Sequence, residues 1–242
     1  MAQSDERWYE SAFEADYLAL YAHRDAAEAR AQVDCLLEWG FEGDLIDLGC
    51  GPGRHLVALE ERGVRAFGLD RSTAMLAAAP PELRPRLVRG DLRRLPFADG
   101  SFDGALSMFS SFGYFGPVGD RAALAEAARV LRPGGRLCLD LADPGAVRTG
   151  LVAESRRREG DLELVESRSL AEDGRLVIKR VIAIDYSDHV REWQERLWLH
   201  SDSDLLGWTE AAGLELLGRR ARWGAPGESA LAGRRVWTLR RR

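Results

Sequence analysis

Two spacings of apolar residues divide this chain, and their alternation predicts its architecture. Between residues 44 and 142, short apolar runs that close on a polar residue take turns with stretches of helical period. Residues 44–47, 64–70, 86–91, 104–109 and 136–141 read as strands, and residues 54–62, a segment opening at Ser72, and residues 120–131 read as helices. Glycine and proline mark the joints: Gly49, Gly51 and Gly53, then Pro80-Pro81 and Pro85, then Pro133-Gly134-Gly135. Strand and helix in turn predict an α/β fold with a parallel sheet.

The flanks carry other patterns. Residues 7–39 read as two helices: Tyr9, Phe13, Tyr17 and Leu20 or Tyr21 recur at three and four residues, and Asp25 with Glu28 has capping-box spacing. Beyond residue 142 the period changes to two. Residues 162–170, 175–185 and 190–199 alternate in polarity around turns at Asp173-Gly174 and Tyr186-Ser187-Asp188, which predicts three antiparallel strands. Trp193 and Trp198 fall on opposite faces of the last one. A helix from Ser201 to Gly213 and strands near residues 214–222 and 234–239 complete the chain as the last, antiparallel edge of the main sheet.

Charge and cysteine content narrow the function classes. With 242 residues and a net charge of −5, the chain is long enough for a sizeable core and lacks the basic excess of a protein whose main partner is a phosphate backbone. Cys35, Cys50 and Cys138 are odd in number and widely spaced, so neither a disulfide framework nor a metal site is expected. No apolar stretch reaches membrane-span length and the N-terminus has no signal-like apolar segment, so a cytoplasmic protein is expected.

The chemistry concentrates after the first strand, in Asp47-Leu-Gly49-Cys50-Gly51-Pro-Gly53-Arg54. Its glycines allow positive φ and close approach of a ligand, and its place between strand and helix puts free N–H groups at the mouth of the sheet. A dinucleotide site wants Gly-x-Gly-x-x-Gly, whereas here the third glycine falls one residue early and Arg54 takes its place. The second strand ends in Asp70, about seventeen residues after Gly53, near the spacing at which an acid reaches a nucleotide ribose. The third ends in Asp91, within Gly90-Asp91-Leu92-Arg-Arg-Leu-Pro-Phe97, and the fourth runs into Ser107-Met108-Phe109-Ser-Ser-Phe112-Gly-Tyr114-Phe115.

These blocks, with Leu131-Arg-Pro-Gly-Gly-Arg136, resemble the class I S-adenosylmethionine (AdoMet) methyltransferases. The resemblance is to a methyltransferase-domain family with a Ser-Phe-Gly-Tyr-Phe block, and also to amino-sugar N,N-dimethyltransferases. It implies a Rossmann-like seven-stranded sheet (residues 44–145 and 201–242), a helical lid (1–43) and an antiparallel insert (155–200) that roofs the active site or forms a homodimer contact. It implies AdoMet as cofactor, with S-adenosylhomocysteine as product, no metal, and Asp47, Gly49, Cys50, Gly51, Gly53, Asp70, Arg71, Asp91, Leu92, Ser107 and Met108 as its binding set. Asp47 would hold the amino-acid end, Asp70 the ribose and Asp91 the adenine amino group.

Adenine-N6 and cytosine-C5 methyltransferase motifs are missing after the fourth strand, so a small-molecule acceptor is expected rather than nucleic acid or membrane. Tyr17, Tyr21, Phe109, Phe112, Tyr114 and Trp193 are its candidate contacts. N-methylation is favoured over O-methylation; if a base is used, His23 or His189 is the candidate. The competing readings are a non-catalytic AdoMet-sensing or partner-binding module and an NAD-dependent oxidoreductase, the latter opposed by Arg54.

Overall fold

The computed structural model describes residues 8–12, 26–187, 189–221, 223 and 233–242. In chain order the elements are α1 (Tyr9–Ala12), α2 (Ala26–Glu38), β1 (Leu45–Leu48), α3 (Arg54–Glu60), β2 (Ala66–Asp70), α4 (Thr73–Ala77), β3 (Leu87–Arg89), β4 (Phe102–Ser107), α5 (Gly116–Val130), β5 (Leu131–Ala142) and α6 (Pro144–Gly150). There follow β6 (Glu154–Glu159), β7 (Leu162–Ala171), β8 (Leu176–Ile184), β9 (Val190–Trp198), α7 (Asp202–Ala211), β10 (Leu214–Arg220) and β11 (Arg234–Arg241).

Seven strands form the main sheet in the order β10-β11-β5-β4-β1-β2-β3. Strands β1 to β5 are parallel, while β11 runs antiparallel to both β5 and β10, as the C-terminal strand pair predicted. Both faces are covered, so the inner strands are apolar at nearly every position. Alternation sorts their side chains: Leu45, Leu106, Cys138 and Val236 pack with α2 and α3 residues such as Val33, Leu36, Leu56 and Leu59. Ile46, Ala105, Leu137, Leu139 and Trp237 pack with Leu124 and Ala127 of α5 and Leu205 of α7. All three cysteines are buried and none is in a disulfide.

The second sheet has four antiparallel strands, β6-β7-β8-β9, one more than the alternation revealed. The extra strand, β6, has the sequence Glu-Ser-Arg-Arg-Arg-Glu, whose uniform polarity hides its period, and it hydrogen-bonds along one edge of β7. A short helix, α6, also follows β5 where none was expected; Asp143 caps it by accepting from Ala146 N at 2.8 Å. Trp198 N at the end of β9 donates to Gly113 O in the loop after β4 at 2.8 Å, which ties this sheet to that loop. Among the described residues no helix is long and apolar enough to cross a membrane.

Candidate functional site

The side-chain alternation that builds the core also builds the site. Asp47 shares a strand face with Leu45, so its carboxylate points beneath α2 and α3; Asp140 follows Cys138 and Arg234 precedes Val236 on that same face. At the C-terminal ends of β1, β4 and β5 the apolar face thus turns polar.

Asp47 is 1% exposed, and neither carboxylate oxygen has a hydrogen-bond partner. Burial, opposed by the Arg54 charge and reinforced by Asp70, raises its pKa to about 7. Its neighbour His55 is buried as well. The Gln32 carboxamide is oriented by Nε2 donating to Glu28 Oε1 at 2.9 Å, so its Oε1, 2.7 Å from His55 Nε2, must be the acceptor. That leaves His55 Nδ1 turned toward Asp47 Oδ2 at 3.8 Å with a lone pair and no proton to give. Burial and the charges of Arg54 and Arg234 hold the His55 pKa well below its usual value. Glu28 also accepts from Arg54 Nη1 at 2.9 Å, while Arg54 Nη2 is buried without a partner.

The glycine loop departs from expectation in one respect. Its N–H groups are not free: Gly49 N and Cys50 N donate to Leu69 O at 2.8 and 3.0 Å, Gly51 N to Asp70 Oδ2 at 2.8 Å, and Gly53 N to Cys50 O at 3.0 Å. The loop is stitched to the end of β2 and offers surface rather than donors. Gly49, at φ +80°, is needed because a Cβ would lie 2.8 Å from Ser111 Cβ, so the loops after β1 and β4 touch there. At Gly51 a Cβ would meet nothing within 4 Å, which leaves open space on the ligand side. Cys50 fills the interior, where Gly68 makes room for its sulfur.

Asp70 is half-buried, and burial raises its pKa despite backbone donors from Ser72 and Gly51. It does not cap α4: Ser72 does, by accepting from Met75 N at 3.2 Å. Asp70 Oδ2 accepts from Gly51 N and Oδ1 from Ser72 N, both at 2.8 Å, with the Arg71 backbone a further donor, and the carboxylate keeps acceptor capacity for a diol. Asp91 is already engaged. Its Oδ1 accepts from Arg93 N and Nε at 2.9 and 3.0 Å, and its Oδ2 from Arg93 Nη2 at 2.7 Å and Arg71 Nη1 at 3.1 Å. Arg93, chiefly by hydrogen bonding, holds the Asp91 carboxyl below its usual range. Both guanidiniums stack on Tyr9, at 5.0 Å for Arg71 and 5.6 Å for Arg93, so α1 lies over this arginine pair.

After β4 the chain makes a strained corner, with Phe109 and Ser110 both left-handed at φ +53° and +61°. Asp140, fully buried, holds it: Phe109 N donates to Asp140 Oδ2 at 3.0 Å and Ser110 N to Asp140 O at 2.9 Å. Arg234 neutralises Asp140 from Nε and Nη2 at 2.7 and 2.6 Å and lies over the Phe109 ring at 4.6 Å. Further on, Asp120 accepts from Gly113 N, Phe115 N and His200 Nε2 at 3.1, 3.2 and 2.8 Å, which locks the second half of the loop.

Phe112 is the clearest correction among the expected substrate contacts. It is 6% exposed, packs in the main core and meets His200 edge-on, because the Asp120 anchor turns this part of the loop inward. Ser107 and Met108 are buried too, Met108 in the α2/α3 layer. Leu92 packs on the opposite layer. Phe109 and Tyr114 stay half-exposed, with Tyr114 edge-on to Trp8. Trp193 joins Trp8, Tyr9 and Ala12, seating α1 on β9.

His189 does not reach this cluster. It is exposed in the β8–β9 turn, the full length of β9 from Trp198. Tyr17, Tyr21 and His23 lie outside the described residues. The sequence reading missed Arg54 as a buried group, His55, Asp120, Asp140, His200 and Arg234. Asp140 could have been found, since it is the acid closing the fifth strand, as Asp47, Asp70 and Asp91 close or follow the first three.

Against known proteins, residues 45–135 match a family model described as a methyltransferase domain. A demethylmenaquinone methyltransferase from Mycobacterium tuberculosis is 32% identical over 167 residues, 68% of this chain and 66% of that protein. The Mycolicibacterium paratuberculosis enzyme of the same name is 44% identical over 93 residues, 39% of its length, so the chain spans two thirds or less of these relatives. Among solved structures, the sugar N-methyltransferase KedS8 from Streptoalloteichus is 25% identical, with a TM-score of 0.72 over 93% of this chain and 92% of that one. The fold is that of the class I methyltransferases, and residues 45–135 match their methyltransferase domain.

Proposed function

We propose that this protein transfers a methyl group from AdoMet to a small-molecule acceptor, with an amine nitrogen favoured over a hydroxyl. The observation that carries the cofactor assignment is the Asp47 carboxylate, buried without a partner at the mouth of the glycine loop. A buried orphan of this kind costs a few kcal/mol, and an ammonium group arriving from a ligand relieves it.

AdoMet supplies an electrophilic methyl group on a sulfonium. The chain's part is to orient and enclose. Asp47 takes the amino-acid end, Asp70 the ribose hydroxyls, and Asp91 with Arg71 and Leu92 the adenine side. Phe109, fixed by Asp140 and Arg234, presents an aromatic surface to the reacting centre, and Tyr114, Trp193 and the four-stranded sheet cover it from above. Preference for an amine is supported by the likeness to a sugar N-methyltransferase. It is supported also by the placement of the histidines: among the described residues His55 and His200 are buried against Gln32 and Asp120, and His189 is at a distant turn. An amine presents a lone pair and sheds its proton after transfer, so no base need act first.

The test is calorimetric titration with S-adenosylhomocysteine, followed by a screen of amines and hydroxylated metabolites with AdoMet that reads S-adenosylhomocysteine release. Saturable binding with turnover on amines is expected. No binding by folded protein would defeat the reading, and tight binding without turnover would favour a sensing module.

A further inference from the structure

We infer that Arg54 is the residue that binds the carboxylate of the cofactor's amino-acid end, opposite Asp47, so that the two side chains read the whole zwitterion. This rests on the AdoMet reading above. The observation is a pair of opposite charges that do not meet. Asp47 has two partnerless oxygens and Arg54 a partnerless Nη2, all buried, with fewer than ten residues of one loop between them. A direct ion pair would satisfy both, yet none forms. Arg54 is drawn aside, its Nη1 bonded to Glu28 at 2.9 Å and its guanidinium over the Phe109 ring at 5.2 Å.

Asp47 is likewise kept from a substitute partner, because His55 gives its only N–H to Gln32. Glu28 and Gln32 sit one turn apart on α2 and are bonded to each other, so a single helix holds both readers in place and apart. The arrangement leaves an unmet anion and an unmet cationic donor, which an α-amino acid fills with its ammonium and carboxylate. Arg54 is also the residue that breaks the dinucleotide spacing, and this role gives the departure a chemical reason. A bridging water would satisfy the same atoms, but Arg54 would then be indifferent to the ligand's tail.

The experiment compares three ligands by calorimetry: S-adenosylhomocysteine, its decarboxylated analogue, and 5′-methylthioadenosine, which has no amino-acid tail. Wild type is expected to bind S-adenosylhomocysteine roughly ten- to hundredfold more tightly than the decarboxylated analogue. Arg54→Met should erase that preference while leaving the affinity for methylthioadenosine within about twofold, and Arg54→Lys should restore part of it. Equal affinity of wild type for the first two ligands overturns the inference without any variant, and so does an Arg54→Met loss shared by all three. Wild type binding none of the three would instead remove the AdoMet reading itself.

Discussion

Asp47 and Asp91 are the same residue type at equivalent strand ends, and their surroundings drive them in opposite directions. Asp47 is buried with no donor, and burial lifts its pKa to about 7. Asp91 is half-exposed and saturated by Arg93 and Arg71, which hold its pKa down. The amino-acid end of the proposed site therefore keeps unmet polar capacity, whereas the adenine end has already met its own. A ligand gains most where the protein is unsatisfied, since there it relieves a penalty; at Asp91 it can only exchange one partner for another. Losses of affinity should therefore be smaller at the adenine end than at the middle or the amino-acid end.

The largest effect is expected at Asp70, between the two ends. Asp70→Ala removes the acceptor for two ribose hydroxyls at about 1.5–3 kcal/mol each, and also the anchor of Gly51 N and Ser72 N. S-adenosylhomocysteine affinity should fall at least about a hundredfold by calorimetry; a loss below tenfold would mean that the ribose lies elsewhere.

Asp47→Asn comes next, and it should separate function from stability. Loss of the charge should weaken S-adenosylhomocysteine by roughly ten- to hundredfold. The ligand-free protein should become more stable, because Asp47 has its pKa raised from 3.8 to about 7 in the fold. A raised carboxyl contributes fully below the unfolded pKa, and that contribution is lost as pH rises through the folded one. The gain of the Asn variant over wild type should thus grow toward pH 8, up to about 4 kcal/mol, in chemical denaturation without ligand. A destabilised variant would mean that Asp47 has a structural partner.

Much of this site was legible because its acids close strands of a βαβ pattern, where period and position both point to the sheet's ligand edge. Asp47, Asp70 and Asp91 needed only that. What escaped was set by contacts distant in sequence. Phe112 looked like part of an exposed aromatic loop, but Asp120 and His200, 80 residues apart, turn it into the core. Arg234 and Asp140 meet only because β11 inserts beside β5, 94 residues later. Strand β6 was invisible for a different reason: its side chains are nearly all charged, so its place in the sheet follows from pairing with β7 rather than from its own pattern.

The comparison also has a pH signature. Ligand ammonium needs Asp47 ionised, and Asp47 is half-protonated near pH 7. Affinity for S-adenosylhomocysteine should therefore rise with pH and level off above it, by about tenfold between pH 6 and pH 8. Asp47→Asn should flatten this profile. Asp91, already held low by Arg93, should add no step in that window. A profile unchanged in the Asn variant would assign the titration to another group.

The smallest effect is expected at the adenine end, with S-inosylhomocysteine, in which a carbonyl replaces the adenine amino group. In most sites that accept this amino group with a lone carboxylate, the change would leave a buried acceptor unsatisfied and cost more than tenfold. Here Asp91 retains Arg93 and Arg71 when the amino group is gone, and Arg71 can turn a donor toward the new carbonyl. Calorimetry should show a loss of only about five- to tenfold, well below that for removing the carboxylate at the other end. A loss above a hundredfold would mean that the arginines leave Asp91 when ligand binds. The two ends would then be alike in the bound state, and their contrast would belong to the free protein alone.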